Sequence, residues 1–248
     1  MIGLPVFLCS VLVLWLCATL GTRIRAARGV PGAELRENYN MVLAASLTLL
    51  GLIIGFSFSM ASSRYDLRKG YEEAEANAIG TEWLRAGLLP AADAAQVRVL
   101  LKRYLEERIS FYTSRDRAQL VQINAQTTRT QGDLWSAVQS AALAQPNPLT
   151  ALAAAGMNDV LDAQGYTQAA WWNRLPREAW VLMILIAALG NAMVGYSFGR
   201  VQGHPLLLLI LPLLVSIAFF LIADIDSPRA GVIHVAPQNL LALAATLS

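Results

Sequence analysis

MVLAASLTLLGLIIGFSFSMASS, residues 41–63, contains no charged side chain. At 1.5 Å per residue a helix of this length crosses about 30 Å of hydrocarbon. Three further stretches share the property: Ile2–Gly21, Ala179–Gly199 and Pro205–Ala223. A buried helix of a soluble protein is rarely uncharged over such a length, and four in one chain define an integral membrane protein.

Composition agrees. Apolar residues make up 56 % and charged residues 15 % of the chain, with a mean hydropathy of +0.47. Most charges lie between Arg64 and Glu178, where basic and acidic residues alternate. That alternation and a net charge of only +2 exclude a nucleic-acid-binding field. Cys9 and Cys17 both fall within the first apolar stretch, as lipid-facing or packed thiols and not as a disulfide or metal framework. Arg23, Arg25 and Arg28 follow the first stretch instead of preceding it, the pattern of a retained anchor and not of a signal peptide.

The layout predicts an all-α membrane protein in which residues 1–63 hold spans one and two. Residues 64–177 form a helical extramembrane insert, residues 178–224 a hairpin of spans three and four, and residues 225–248 a tail. Gly29-Val30-Pro31-Gly32 breaks the first loop, and Arg200–His204 makes a tight connection before Pro205, with Pro212 placed to kink span four. No breaker separates Ser63 from Tyr71, so span two is expected to continue as one helix. Val97, Leu100, Leu101, Tyr104 and Leu105 keep a helical period, as do Leu149, Leu152, Ala153, Gly156, Met157, Val160 and Leu161 after the Asn147-Pro148 start. Pro90 and Pro146/Pro148 divide the insert into helices near residues 65–89, 92–145 with a break at Gly132, and 148–173. Trp171, Trp172 and Trp180 mark re-entry at headgroup level. Val232–Val235 is a short β-branched piece, and the apolar Leu240–Leu247 is expected to pack on the insert. Over short loops Arg23, Arg25, Arg28, Arg36 and Arg200 oppose Arg229, a bias that places the insert outside the cytoplasm. Arg64, Arg68, Lys69, Arg174 and Arg177 at the membrane ends cancel it.

No catalytic constellation, cofactor motif or metal set is visible. His204 and His234 lack ligand partners at useful spacing. The insert's carboxylates, among them Glu72, Glu73, Glu75, Glu106 and Glu107, read as solvated helix faces. Cysteine apart, the spans carry no ionisable group, which argues against proton-coupled transport. They do carry a small-residue ridge, Gly51, Gly55, Ser59 and Ser63, repeated by Gly195 and Gly199 in span three. Such ridges serve tight packing within a chain, an oligomer interface or a pore-lining helix. Asn191 is expected to make an interhelical hydrogen bond. Thr48, Leu52 and Phe56 form a second line on span two, either core or lipid-facing or, in a symmetric ring, a constriction that gates by dewetting.

Gly55-Phe56, then Arg64-Tyr65 and Arg68-Lys69, resembles the second-helix signature of the bestrophin superfamily. The runs Gly55–Met60, Ser63–Tyr65, Glu73–Thr81, Leu84–Ala86 and Asp224–Gly231 resemble more closely its bacterial bestrophin-like branch, formerly a domain of unknown function. The resemblance covers nearly all of the chain after span one, with Arg64, Tyr65, Asn77, Asp224 and Asp226 as motif residues. It implies a multi-pass protein of the bacterial inner membrane that forms a homo-oligomer, with a pentamer favoured. It further implies an anion channel for chloride or other small anions, lined by the second helix with Phe56, Leu52 and Thr48 at its neck. Thr48 departs from an apolar neck, and Asp66 replaces the second aromatic after the arginine. The acidic calcium clasp is reduced to Asp224 and Asp226. The resemblance places the insert in the cytoplasm. The alternative is a non-conducting membrane scaffold or sensor whose insert binds a partner.

Overall fold

A computed structural model describes residues 3–29, 32–198, 206–229 and 231–247. Gly199, the Arg200–His204 connection with Pro205, Val30, Pro31 and Ala230 lie outside the described residues. The described chain is built of helices: α1 (Gly3–Arg28), α2 (Ala33–Arg85), a 3-10 turn (Ala86–Leu88), α3 (Ala91–Thr113), α4 (Arg117–Ala144), α5 (Pro148–Trp172), α6 (Arg177–Phe198), α7 (Leu207–Asp226) and α8 (Gln238–Thr246). Four helical stretches, one in each expected span, are long and apolar enough to cross a membrane. The chain divides into two compact units, one of residues 1–64 and 174–234, the other of residues 65–173 and 235–248.

α2 runs unbroken for 53 residues, about 80 Å at the helical rise, straight through Ser63, where the sequence holds no breaker. Its first part belongs to one unit and its second part to the other.

In the first unit α1 packs against α6 and α7. The contact with α6 is backbone to backbone. A Cβ built on Gly195 would overlap the Ala18 carbonyl, and one on Gly21 would overlap the Ala192 carbonyl. Small residues permit this approach where lipid supplies no hydrophobic drive for helices to associate. Leu14, Ala18, Met183, Ala187, Val215, Phe219 and Ile222 fill the interior, and Phe7 meets Phe220 edge-on at 6.3 Å. Asn191 corrects one expectation: its side-chain amide donates to the Ala187 carbonyl of the same helix, at 2.8 Å, and not across helices. A hydrogen bond to the preceding turn satisfies the donor without any second helix.

The second unit surrounds an apolar core that includes Ile79, Val97, Leu101, Tyr104, Leu105, Phe111, Leu134, Val138, Met157, Val160, Val235 and Leu240. Burying each large aliphatic side chain contributes about 1.5–3 kcal/mol. α5 starts on a capping box, with Asn147 accepting from the Leu149 and Thr150 amides and Pro148 in the first turn. The expected break at Gly132 is absent: α4 runs through it, and the chain breaks at Ser114-Arg115-Asp116. There Asp116 caps α4 by accepting from the Ala118 amide at 3.0 Å. An N-cap on a short extended link interrupts the helix where a single glycine does not. Trp171 is also corrected from a headgroup position to the interior: it is 5 % exposed and meets Phe111 and Tyr112 edge-on at 5.1 and 5.4 Å. Trp172 stays exposed. Residues 232–235 form no strand, and α8 packs Leu240, Leu243 and Ala244 on the core.

Gly195→Val forces a branched side chain into the Ala18 carbonyl and should cost roughly 1–3 kcal/mol. Gly132→Ala, in the interior of α4 with open space around it, should gain about 0.5–1 kcal/mol. Thermal unfolding in mild detergent checks both. The midpoint falls for the first variant and rises for the second, and equal midpoints would contradict the close approach of α1 and α6.

Candidate pore face and buried charge seam

α2 carries one seam at alternating spacings of three and four residues. In the first unit it reads Leu43, Leu47, Leu50, Ile54, Ser57 and Ala61, with Leu50, Ser57 and Ala61 buried. Leu47 reaches within 3.3 Å of where a Gly190 Cβ would lie, so α6 offers a notch for it. At 100° per residue, Thr48, Leu52 and Phe56 point away from that seam. Leu52 is 54 % and Phe56 64 % exposed, so neither is a core residue of its own chain. Thr48 is exposed and donates its hydroxyl to the Ala44 carbonyl at 2.9 Å, so it presents its methyl group without an unpaired donor. Gly51 and Gly55 share this outer side and have nothing within 4 Å of a built Cβ; Ser59 is exposed beside them. Gly195, by contrast, is packed inside the chain. Near the end of this part of α2, Arg64 approaches the Met60 sulfur at 3.6 Å.

In the second unit the same spacing continues as Arg68, Glu72, Glu75, Ile79 and Glu82, all buried, with the buried Ala86 of the 3-10 turn next in step. Three of these residues were expected as helix-face charges or motif flanks, and the structure corrects that for Glu72 and Glu75, while Glu73 and Glu106 are solvated. Each buried charge has a specific task. Arg68 donates to the Ala170 and Asn173 carbonyls at 3.1 and 3.0 Å, at the C-terminus of α5, where a cation offsets the exposed carbonyl dipoles. Glu72 accepts from the Asn239 and Leu240 amides, both at 3.0 Å, and from the Asn239 side chain at 2.6 Å. A carboxylate on α2 thereby caps the N-terminus of α8, whose own N-cap residue, Pro237, makes no side-chain cap. Glu75 pairs with Arg108 of α3, both side chains fully buried, and accepts from the Tyr112 and Thr167 hydroxyls at 3.2 Å each. The Arg108 guanidinium lies 4.4 Å over the Phe111 ring. Burial pulls Arg108 downward as the largest single influence, yet the Glu75 carboxylate and neighbouring tyrosines together raise its pKa. Glu107, also corrected to a buried position, accepts from Arg103 at 3.1 Å and Thr130 at 2.9 Å.

Glu82 differs from these. Neither of its oxygens has a hydrogen-bond partner, and it sits where a Cβ on Gly156 of α5 would overlap it. Burial pushes its carboxyl from the ordinary 4.5 up to about 8, with Arg85 pulling it down and Asp159 pushing it further up. At neutral pH it is a neutral acid.

Of the remaining motif residues, Asp224 and Asp226 hold backbone amides, Tyr65 packs partly on a core, and Asn77 is exposed. Asp224 accepts from the Val232 and Ile233 amides at 2.8 Å each, and a Cβ on Gly231 would overlap the Asp224 carbonyl. Asp226 accepts from the Leu175 amide at 3.0 Å, fastening the entry to α6. Tyr65 packs partly on the core of the second unit. Asn77 is exposed beside a groove of about 390 Å³ between α2 and α8. Among the described residues no group of three metal-ligating side chains comes together.

The buried charges carried a signal in the sequence: Arg68, Glu72, Glu75 and Glu82 occupy the seam positions of a helix whose earlier seam positions are all apolar or small.

The family profile of the bestrophin-like domain matches residues 6–240. The chain belongs to the bestrophin-like family. A crystal structure of a bacterial bestrophin homologue from Klebsiella pneumoniae shares its fold with a TM-score of 0.68 at 14 % identity, covering 98 % of this chain and 95 % of that one. Two single-substitution variants of that homologue superpose with a TM-score of 0.70 at 13 % identity, covering 97 % of this chain and 96 % and 94 % of theirs. No curated protein matches the chain. Family, four apolar helices and shared fold together make this a multi-pass membrane protein.

The Glu82 carboxyl holds its proton more tightly folded than unfolded. Its contribution is therefore fully present below pH 4.5 and is lost as pH rises towards about 8. Stability of the wild type should fall across that window, and Glu82→Gln should flatten this part of the profile. Thermal midpoints read at intervals from pH 4.5 to 8.5 check it; parallel profiles for wild type and variant would contradict the assignment.

Proposed function

We propose that the chain assembles as a homo-oligomer, with five copies favoured, and conducts chloride or other small anions along a path lined by α2. The observation that carries this reading is the two-sided character of α2. One side packs on its own chain, while the other presents Thr48, Leu52 and Phe56 in line, uncharged and exposed, beside open Gly51 and Gly55. Membership of the bestrophin-like family supports it. Neighbouring copies cover the small-residue strip, and Phe56 supplies the narrow point, since a ring of large apolar side chains excludes water until it widens. Anions are favoured by backbone N–H dipoles and by Arg64 beyond the neck, as the membrane-spanning part holds no fixed charge. In this reading residues 1–63 and 178–224 span the inner membrane of a bacterial cell. Residues 64–177 form a helical bundle outside the bilayer, and residues 225–248 form the tail.

Halide flux into liposomes tests the proposal. Reconstituted wild type should carry chloride, and Phe56→Ala should raise flux several-fold while leaving assembly intact. Gly55→Leu should instead impair assembly by forcing helices apart. Unchanged flux in an active Phe56→Ala preparation would remove the neck assignment. No flux in any preparation would leave the non-conducting scaffold or sensor as the reading.

A further inference from the structure

At one end of the membrane unit, α1, the start of α2 and the end of α6 enclose a polar cavity of about 180 Å³, lined by Arg25, Arg36, Tyr39, Asn40, Tyr196 and Ser197. Arg25 donates to the Tyr196 carbonyl at 3.2 Å and its guanidinium lies 5.5 Å over the Tyr196 ring. Tyr39 stacks obliquely on Tyr196 at 4.9 Å and donates its hydroxyl to the Met193 carbonyl at 2.9 Å. These contacts fix the wall of the cavity and account for Arg25 and Tyr39. They do not account for Arg36, which has no carboxylate partner among the described residues, or for the Ser197 hydroxyl, which is buried without any partner. On α2, Arg36, Tyr39 and Asn40 share one face, with Glu34 on the far side of the helix.

Depth selects the ligand chemistry. Arg25 lies four residues beyond the uncharged stretch that ends at Gly21, and Arg36 five residues before the one that begins at Met41. At the helical rise both sit about 6–8 Å outside the hydrocarbon, within the phosphate layer of a bilayer. Tyr39, two residues outside the stretch that begins at Met41, fits the amphipathic belt of that layer, and Tyr196 meets its ring from near the end of the third stretch. Two guanidiniums, a tyrosine-lined wall, a side-chain amide and an unpaired hydroxyl form a donor-rich cavity open to that depth. We propose that this cavity binds a phosphate-type oxyanion, with Arg36 and the Ser197 hydroxyl as ligand contacts and Arg25 as a fixed positive charge beside it. Planar, forked guanidinium donors suit such an anion. The proposal is independent of conduction, since it concerns a face of α2 distinct from the Phe56 line.

Arg36→Gln is the informative variant, because Arg36 is exposed and holds no other part of the fold; Ser197→Ala is the second. The full-length protein in mild detergent is titrated with dioleoylphosphatidylglycerol, with dioleoylglycerol lacking the phosphate, and with sodium phosphate against sodium chloride at equal ionic strength. Binding is read by native mass spectrometry and thermal shift. Phosphatidylglycerol should bind where dioleoylglycerol does not, and Arg36→Gln should weaken it about fivefold. If sodium phosphate alone shifts the wild type and not Arg36→Gln, the source is a free anion; if only the phospholipid does so, it is a lipid headgroup, and either result supports the site. Curves that are the same in wild type, Arg36→Gln and Ser197→Ala for every probe would overturn it.

Discussion

The second unit depends on one constraint: α2 places ionisable groups on the side that faces its own neighbours, and each must find a partner there or, as Glu82 does, keep its proton. Removing one member of a buried ion pair typically costs about 3–5 kcal/mol, because the survivor is left uncompensated. The seam meets this demand through helix ends as much as through side chains. Arg68 sits on the C-terminal carbonyls of α5, Glu72 on the N-terminal amides of α8, and Glu75 on Arg108 with two hydroxyls beside it. Signs match the helix dipoles in both terminal contacts. Such pairs fix which helix end meets which position of α2, in a way that interchangeable aliphatic contacts do not.

The membrane unit solves a different problem with a different set of residues. Hydrophobicity does not drive its helices together, so contact comes from shape: Gly21 and Gly195 let α1 and α6 touch backbone to backbone. Gly51 and Gly55 resemble them in sequence but meet nothing in their own chain. The distinction separates packing within the chain from a face that the chain itself leaves open. It also explains why Phe56 and Leu52 remain exposed while Leu50 on the same helix is buried.

Much of the fold was legible from length and charge alone. Four uncharged stretches gave the membrane helices, and the absence of a breaker after Ser63 gave the continuation of α2. Residue type and period point in opposite directions at Glu72 and Glu75: carboxylates are usually solvated, yet the spacing of these two matches the buried seam. Trp171 shares with Trp172 and Trp180 the amphipathic character that suits a headgroup position, but its ring packs against Phe111 and Tyr112. Gly132 does not break α4, because an isolated glycine lowers helix stability by only about 1 kcal/mol, whereas the short Ser114–Asp116 link with its cap ends one helix and starts another. Asn191 found its acceptor one turn back, a choice that periodicity does not reveal. The outer face of α2 could be read as a stripe, but which side of the helix its own chain covers required the neighbouring helices.

The central claim is that other copies of the chain cover the outer face of α2. Mass measurement of the intact protein in mild detergent, over a range of concentrations, tests it most directly. The account predicts a discrete multimer, five copies being favoured, that persists on dilution; a monomer at every concentration would contradict it.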